Sequence, residues 1–310
     1  MTTETKNAKT LADIASEDGV FAIIAMDQRN TLRRMFKAVH IDASEEDIRA
    51  VKADVARALT PAASGMLLDP TYGVPAITEA HALAHDCGLL VAAEPSIRDT
   101  YNGEPRTRRD PELNARWVAA QGGDAVKFLV QLRADRSVPT AGEPDLASEV
   151  LDVCREIVAD CNSAGLPSVI ENLVYPLPGE QLTGKAREAA IIEAATALDE
   201  LDIDLLKLEY PGSPGSCRRL ADALHRPWAV LSAGVPFEQF SDVLKIAFDE
   251  GGASGFIAGR SIWREALPLS GAERQSFLDT VARPRLDDLV TVADQRARPW
   301  TEAKRGFAAI

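Results

Sequence analysis

The 310-residue chain is 46% hydrophobic and 26% charged, so it can bury a core and does not have a disordered composition. Its 34 basic and 47 acidic side chains leave a net charge of −13, which opposes binding to nucleic acid or to an anionic membrane surface. No apolar run approaches the roughly 20 residues of a membrane span, MTTETKNAKT lacks a signal-peptide core, and the four cysteines form no CxxC pair, so a cytoplasmic protein with reduced thiols is expected.

In chain order, eight short apolar runs read as strands: VFAIIAMDQ (20–28), SGMLLDP (64–70), GLLVAAE (88–94), AVKFLVQ (125–131), PSVIENL (167–173), LLKLEYP (205–211), WAVLSAG (228–234) and SGFIAGR (254–260). The segments between them, such as ASEEDIRAVKADVARAL and PDLASEVLDVCREIVADCNSAG, have the spacing of amphipathic helices. This alternation predicts an α/β fold with a parallel sheet covered by helices. Eight repeats fit a (β/α)8 TIM barrel better than an open doubly wound sheet, and no GxGxxG follows the first strand.

No linker interrupts the rhythm, so residues 1–310 are expected to form a single barrel domain. The irregular stretch EPSIRDTYNGEPRTRRD (94–110) reads equally as an active-site lid and as a solvated loop, and DRSVPTAGEPD (135–145) as a connection. After Trp263, SGAERQSFLDTVARPRLDDLVTVADQ predicts an extra C-terminal helix that closes the barrel or packs on a partner subunit. A homo-oligomer is expected.

Within a barrel strand, side chains alternate between the interior and the helix layer. In LLKLEYP this sends Leu206 and Leu208 to the helices and Lys207 to the axis, near the C-terminal strand end where barrel enzymes keep their sites. Other strands end alike: AMDQR presents Asp27, Gln28 and Arg29, AVKF Lys127, SVIEN Glu171 and AGR Arg260. In so acidic a chain, Arg29, Lys127, Lys207 and Arg260 would make a local basic well for an anionic substrate.

Plainer readings stand beside these: Lys207 in a structural ion pair, Lys127 as a mere partner of Glu171, Asp27 as a helix cap, and Asp69-Pro70 as turn chemistry. SAGVPFEQF and AGRSIWREA put small residues where strands turn into helices. Ser232, Ala233, Gly234, Gly259 and Arg260 are therefore phosphate-binding candidates.

A lysine desolvated beside other cations becomes a nucleophilic amine that forms an imine with a ketone. The imine is an electron sink, so the carbon–carbon bond β to it can break while a carboxylate moves protons. Glu171 is best placed for that, with Lys127 assisting. The metal-dependent route needs clustered histidines. His81 and His85 lie i, i+4 on an expected outer helix without a third ligand and read as a solvated face, so neither a metal nor a cofactor is expected.

MDQRNTLRRMF, LLDPTYG, GGDAVKFLVQLRAD, SVIENLVYP, DLLKLEYP, AVLSAGV and GASGFIAGRSIW, in this order, resemble the class I aldolase family that includes tagatose 1,6-bisphosphate aldolase and sulfofructosephosphate aldolase. The resemblance implies a TIM barrel, a Schiff-base lysine at Lys207 and a glutamate at Glu171. It also implies site roles for Asp27, Gln28, Arg29 and Lys127, and phosphate turns at Ser232, Gly234, Gly259 and Arg260.

LLDPTYG and SAGV look like the tagatose branch. GASGFIAGRSIW, Arg133 in LVQLRAD and a short connection between the fifth and sixth strands resemble the sulfofructose branch. The branch resemblance thus leans to cleavage of 6-deoxy-6-sulfofructose 1-phosphate into dihydroxyacetone phosphate and sulfolactaldehyde. Tagatose 1,6-bisphosphate is the alternative substrate, and Arg29 is the candidate for the distal anion. Two rivals stay open: an isomerase or epimerase with Glu171 as base and Lys207 as a clamp, and a non-catalytic barrel that binds a sugar phosphate.

Overall fold

The computed structural model describes residues 8–137 and 139–303. The first seven residues of MTTETKNAKT, Val138 of the 135–145 connection and residues 304–310 lie outside that range.

All eight expected strands form: β1 (Phe21–Met26), β2 (Gly65–Leu68), β3 (Gly88–Ala92), β4 (Ala125–Val130), β5 (Ser168–Asn172), β6 (Leu205–Glu209), β7 (Trp228–Leu231) and β8 (Gly255–Ala258). They pair in parallel and in sequence order, and β8 closes on β1. Continuous apolar runs such as FAIIAM belong in such a barrel because both strand faces are buried.

The two faces make two separate clusters. Phe21, Ile23, Leu67, Leu90, Val169, Leu205 and Ile257 fill the interior. Leu206, Leu208, Ile170 and Val230 join the larger cluster between strands and helices. The expected alternation in LLKLEYP is therefore the one observed.

The helices are α1 (Asn30–Ala38), α2 (Glu45–Leu59), α3 (Gly73–Ala80), α4 (Ala115–Ala120), α5 (Leu146–Ala164), α6 (Gly184–Asp199), α7 (Pro214–Ala223), α8 (Phe237–Asp249), α9 (Arg260–Trp263), α10 (Gly271–Phe277) and α11 (Arg283–Arg296). Their starts follow local chemistry. Ser44 and Asp47 form a reciprocal capping box on α2, and Ser213 caps α7 with Pro214 in its first turn. A π-helical turn, Leu278–Ala282, joins α10 to α11. Leu286, Leu289 and Ala293 bury the C-terminal helix against its own barrel, beside α8 and β1.

Two features depart from the sequence reading. A short 3-10 helix, Leu11–Ile14, precedes β1, and its Leu11 and Ile14 belong to the interior cluster, so it plugs the N-terminal end of the barrel. The stretch 94–110 is not wholly irregular either: Asp99–Tyr101 and Glu104–Arg106 form an antiparallel hairpin. Asn102 and Gly103 at its tip both have positive φ, as a type I′ turn requires.

Candidate active site

β4, β5 and β6 repeat one pattern. Ala125, Val169 and Leu205 belong to the apolar interior, and two residues further along the same face stand Lys127, Glu171 and Lys207. The charged layer thus sits one step above the apolar one, toward the C-terminal strand ends.

Glu171 and Lys207 are register partners across β5 and β6, and Lys207 Nζ donates to Glu171 Oε2 at 2.8 Å. Lys127 Nζ stands 2.8 Å from the same oxygen. Lys127 also donates to Asp27 Oδ2 at 2.8 Å and to Glu94 Oε1 at 2.7 Å. One carboxylate oxygen therefore serves two ammonium groups, and one ammonium is surrounded by three carboxylates.

These charges hold one another in place. Burial works against the charge on Lys127, yet Asp27, Glu171 and Glu94 outweigh it and keep the ammonium well above the usual lysine range. Burial likewise pushes the Asp27 and Glu171 carboxyls up, but Lys127 and then Lys207 prevail, and both fall below the usual carboxylate range. Burial and neighbouring Arg264 lower Arg260, against the pull of Asp27 and Glu171.

The charged layer floors a well of about 810 Å3 lined by Asp27, Gln28, Arg29, Lys127, Glu171, Lys207 and Arg260. Arg34 and Arg98 line it as well. Among the described residues none of Arg29, Arg34, Arg98 and Arg260 forms a carboxylate ion pair: Arg29 donates to the Glu94 carbonyl at 2.9 Å and Arg98 to Gln131 Oε1 at 2.6 Å. A basic well in an acidic chain is what the strand ends led one to expect.

Ser232, Ala233, Gly234 and Gly259 stand beside the well without lining it. Ala233 and Gly234 have φ of 49° and 77°, and a Cβ on Gly234 would meet the Arg260 guanidinium at 3.1 Å, so the turn after β7 lies against Arg260. Ser261 Oγ donates to the Val235 carbonyl at 2.5 Å, tying the two turns together. Gly259 is also demanded by packing, since a Cβ there would stand 2.1 Å from the Ala25 carbonyl oxygen. The helix expected after β8 is only the four-residue α9.

Two expectations are corrected. Asp27 does not cap a helix: α1 begins after Arg29 with no side-chain cap, and the carboxylate goes to Lys127. His81 ends α3 in the left-handed conformation and His85 follows beyond it, fully exposed beside Asp86, so the two share no helix face. Asp69 is turn chemistry, accepting from the backbone of Thr71, Tyr72 and Gly73, and it is also ion-paired with Lys52. All four cysteines are buried and unpaired, and burial pushes their thiols up to about 12.

Residues 21–265 match the family model described as DeoC/LacD family aldolase. The chain belongs to the DeoC/LacD aldolase family. It is a class I aldolase, a carbon–carbon lyase. Over 335 residues this DeoC/LacD aldolase is 29% identical to tagatose 1,6-diphosphate aldolase of Staphylococcus epidermidis, covering 97% of this chain and 99% of the other. To the protein of the same name from Streptococcus agalactiae serotype V it is 30% identical over 329 residues, covering 95% and 97%. An archaeal fructose 1,6-bisphosphate aldolase shares the fold, with a TM-score of 0.62 at 18% identity over 90% of this chain and 96% of that one.

The lean to the sulfofructose branch finds no support in these relatives. Arg133, which helped to carry it, is buried and does not line the well: its guanidinium binds Asp135 at 2.7 Å, Glu180 at 2.6 Å and the Tyr175 carbonyl at 2.6 Å.

Glu94 is a functional candidate that sequence reasoning missed, although the signal was there. Leu90 and Ala92 face the interior, and Glu94 is the next residue on that face.

Proposed function

We propose that this aldolase cleaves a ketose 1,6-bisphosphate, tagatose 1,6-bisphosphate first among them, into dihydroxyacetone phosphate and glyceraldehyde 3-phosphate. The observation that carries the reading is the Lys207–Glu171 pair at 2.8 Å on the floor of a well with four unneutralised guanidinium groups.

Lys207 hands a proton to Glu171 and its free amine attacks the C2 carbonyl; Glu171 then returns that proton to the carbinolamine hydroxyl, which departs as water and leaves an iminium ion beside the carboxylate. Glu171 takes the proton of the C4 hydroxyl as the C3–C4 bond breaks, and the bonding electrons move into the imine as an enamine. The aldehyde half departs. Protonation of the enamine at C3 and hydrolysis of the imine free dihydroxyacetone phosphate and the amine.

Lys127, held by Asp27 and Glu94, keeps Glu171 anionic between steps and supplies positive charge next to the reacting carbons. The Ser232–Gly234 turn and Arg260 suit the C1 phosphate. Arg29, with Arg34 and Arg98, suits the distal one. Two dianions match this number of cations better than a phosphate and a singly charged sulfonate do, and the sugar is the one in the relatives' names.

The test is side-by-side cleavage of tagatose 1,6-bisphosphate and 6-deoxy-6-sulfofructose 1-phosphate, coupled to detection of dihydroxyacetone phosphate. Faster turnover of the bisphosphate is expected, and a preference for the sulfonate would overturn the choice of substrate. Borohydride added during turnover should fix a three-carbon adduct on Lys207. Inactivation with Lys207 unmodified would sink the imine.

A further inference from the structure

Lys52 of α2 and Asp69, just beyond β2, form a second buried ion pair that the proposed chemistry does not use. Both side chains are fully buried, with Nζ 2.7 Å from Oδ1. Taking two charges out of water is costly, and an apolar pair of the same volume is often as stable or more so, which points to a role other than stability. The rest of the Lys52 bonding shows what it touches: its ammonium donates to the main-chain carbonyls of Met26 and Gln28, the latter at 3.1 Å. With Asp69 that makes three acceptors for three protons, so the group is fully satisfied.

The two carbonyls flank Asp27. Between them the chain leaves β1 and turns to α1, and over these residues Asp27 and Gln28 enter the well. The Asp27 carboxylate then lies between Lys127 at 2.8 Å and the Gln28 amide at 3.1 Å.

We propose that Lys52 is a positioning residue: its buried ammonium clamps the backbone on both sides of Asp27, so that this carboxylate stays on Lys127 and the charge balance around Glu171 is kept. Asp69 anchors the clamp to the end of β2 while ordering its own turn through the amides of Thr71, Tyr72 and Gly73. Without the clamp two carbonyls lose their donor, residues 27–29 are free to reorient, and Lys127 loses one of its three carboxylates. The inference rests on the role given to Asp27 in the proposed function.

The test is a cycle built on tagatose 1,6-bisphosphate cleavage. In K52M/D69N both buried charges go together, and the asparagine oxygen can still accept from the Thr71 and Tyr72 amides, so no lone charge is left behind. The expected result is a modestly lower Tm than that of the parent, since two carbonyls lose their donor, with KM little changed and kcat lower by about tenfold or more, as befits a displaced catalytic group. In a D27N background the same two substitutions should lower kcat no further, which a general loosening of the fold would not reproduce. A kcat within about twofold of the parent, or an equal loss in the D27N background, overturns the clamp. If K52M/D69N does not fold, K52Q/D69N, whose amide can still reach one carbonyl, is read by the same two criteria. An impaired D27N beside an intact K52M/D69N refutes the clamp alone. An unimpaired D27N refutes the role of Asp27 and the clamp with it.

Discussion

Glu171 and Lys207 occupy paired positions in the ladder between β5 and β6, and their side chains meet at 2.8 Å on the barrel's inner face. Their spacing is therefore set by strand register and not by a loop. A slip of one residue in either strand would turn one of them into the helix layer. Such a pair is fixed by the fold itself before any ligand arrives, which is what a step that passes a proton between the two groups requires.

Lys207→Arg tests the imine directly. The guanidinium keeps a positive charge beside Glu171 but forms no Schiff base, so kcat should fall by a factor on the order of 10^4 or more, and borohydride labelling in the presence of substrate should vanish. An enzyme that used Lys207 only as an electrostatic clamp would keep appreciable turnover. The two outcomes are separated by mass spectrometry of the treated protein together with a coupled rate assay.

Glu171→Gln should separate imine formation from bond cleavage. The loss of the proton carrier predicts a fall in kcat of about 10^2–10^4-fold. Substrate should still be trapped on Lys207, slowly, because the nucleophile remains. Single-turnover trapping followed over time provides the check.

The charge network also fixes a pH response. The folded values of Asp27 and Glu171 are depressed, so their contribution to stability is present above the unfolded values, about 3.9 and 4.3, and is lost as pH falls below them. Lys127 is raised, so its contribution is present below about 10.4 and is lost as pH rises through its higher folded value. Calorimetry should therefore give a Tm gap between the parent and D27N that is flat from about pH 5 to 10 and narrows below about pH 4.

Arg133→Met should act on stability and not on substrate choice. Its removal leaves Asp135, Glu180 and the Tyr175 carbonyl without their shared donor, at a cost of about 3 kcal/mol. The ratio of kcat/KM for the bisphosphate and the sulfonate should stay as it is in the parent. A changed ratio would restore Arg133 to the specificity site.

Much of the site was legible because a barrel strand obeys a period of two. The same alternation that assigns Leu206 and Leu208 to the helices assigns Lys207, Glu171 and Lys127 to the axis, and it would have found Glu94 had it been carried one step past Ala92. Asn102-Gly103 likewise carried its hairpin signal in plain view. Lys52 was not legible. In EEDIRAVKADVARAL a lysine among acidic residues looks like a solvated helix face, and only its bonds to the Met26 and Gln28 carbonyls and to Asp69 reveal that it is buried. Arg34 and Arg98 escaped notice because they reach the well from α1 and from the segment before the hairpin, where no strand period applies.

The 3-10 helix that holds Leu11 and Ile14 under the barrel has a consequence for traffic. Among the described residues Leu11 and Ile14 stop the N-terminal end of the barrel, and the well opens at the end where Arg34 and Arg98 stand. Under the proposed chemistry the ketone half is tethered to Lys207 when the bond breaks, while the aldehyde half lies free nearer the exit. The fragments then leave in a fixed queue, aldehyde first, and in the condensing direction the aldehyde is the last to enter.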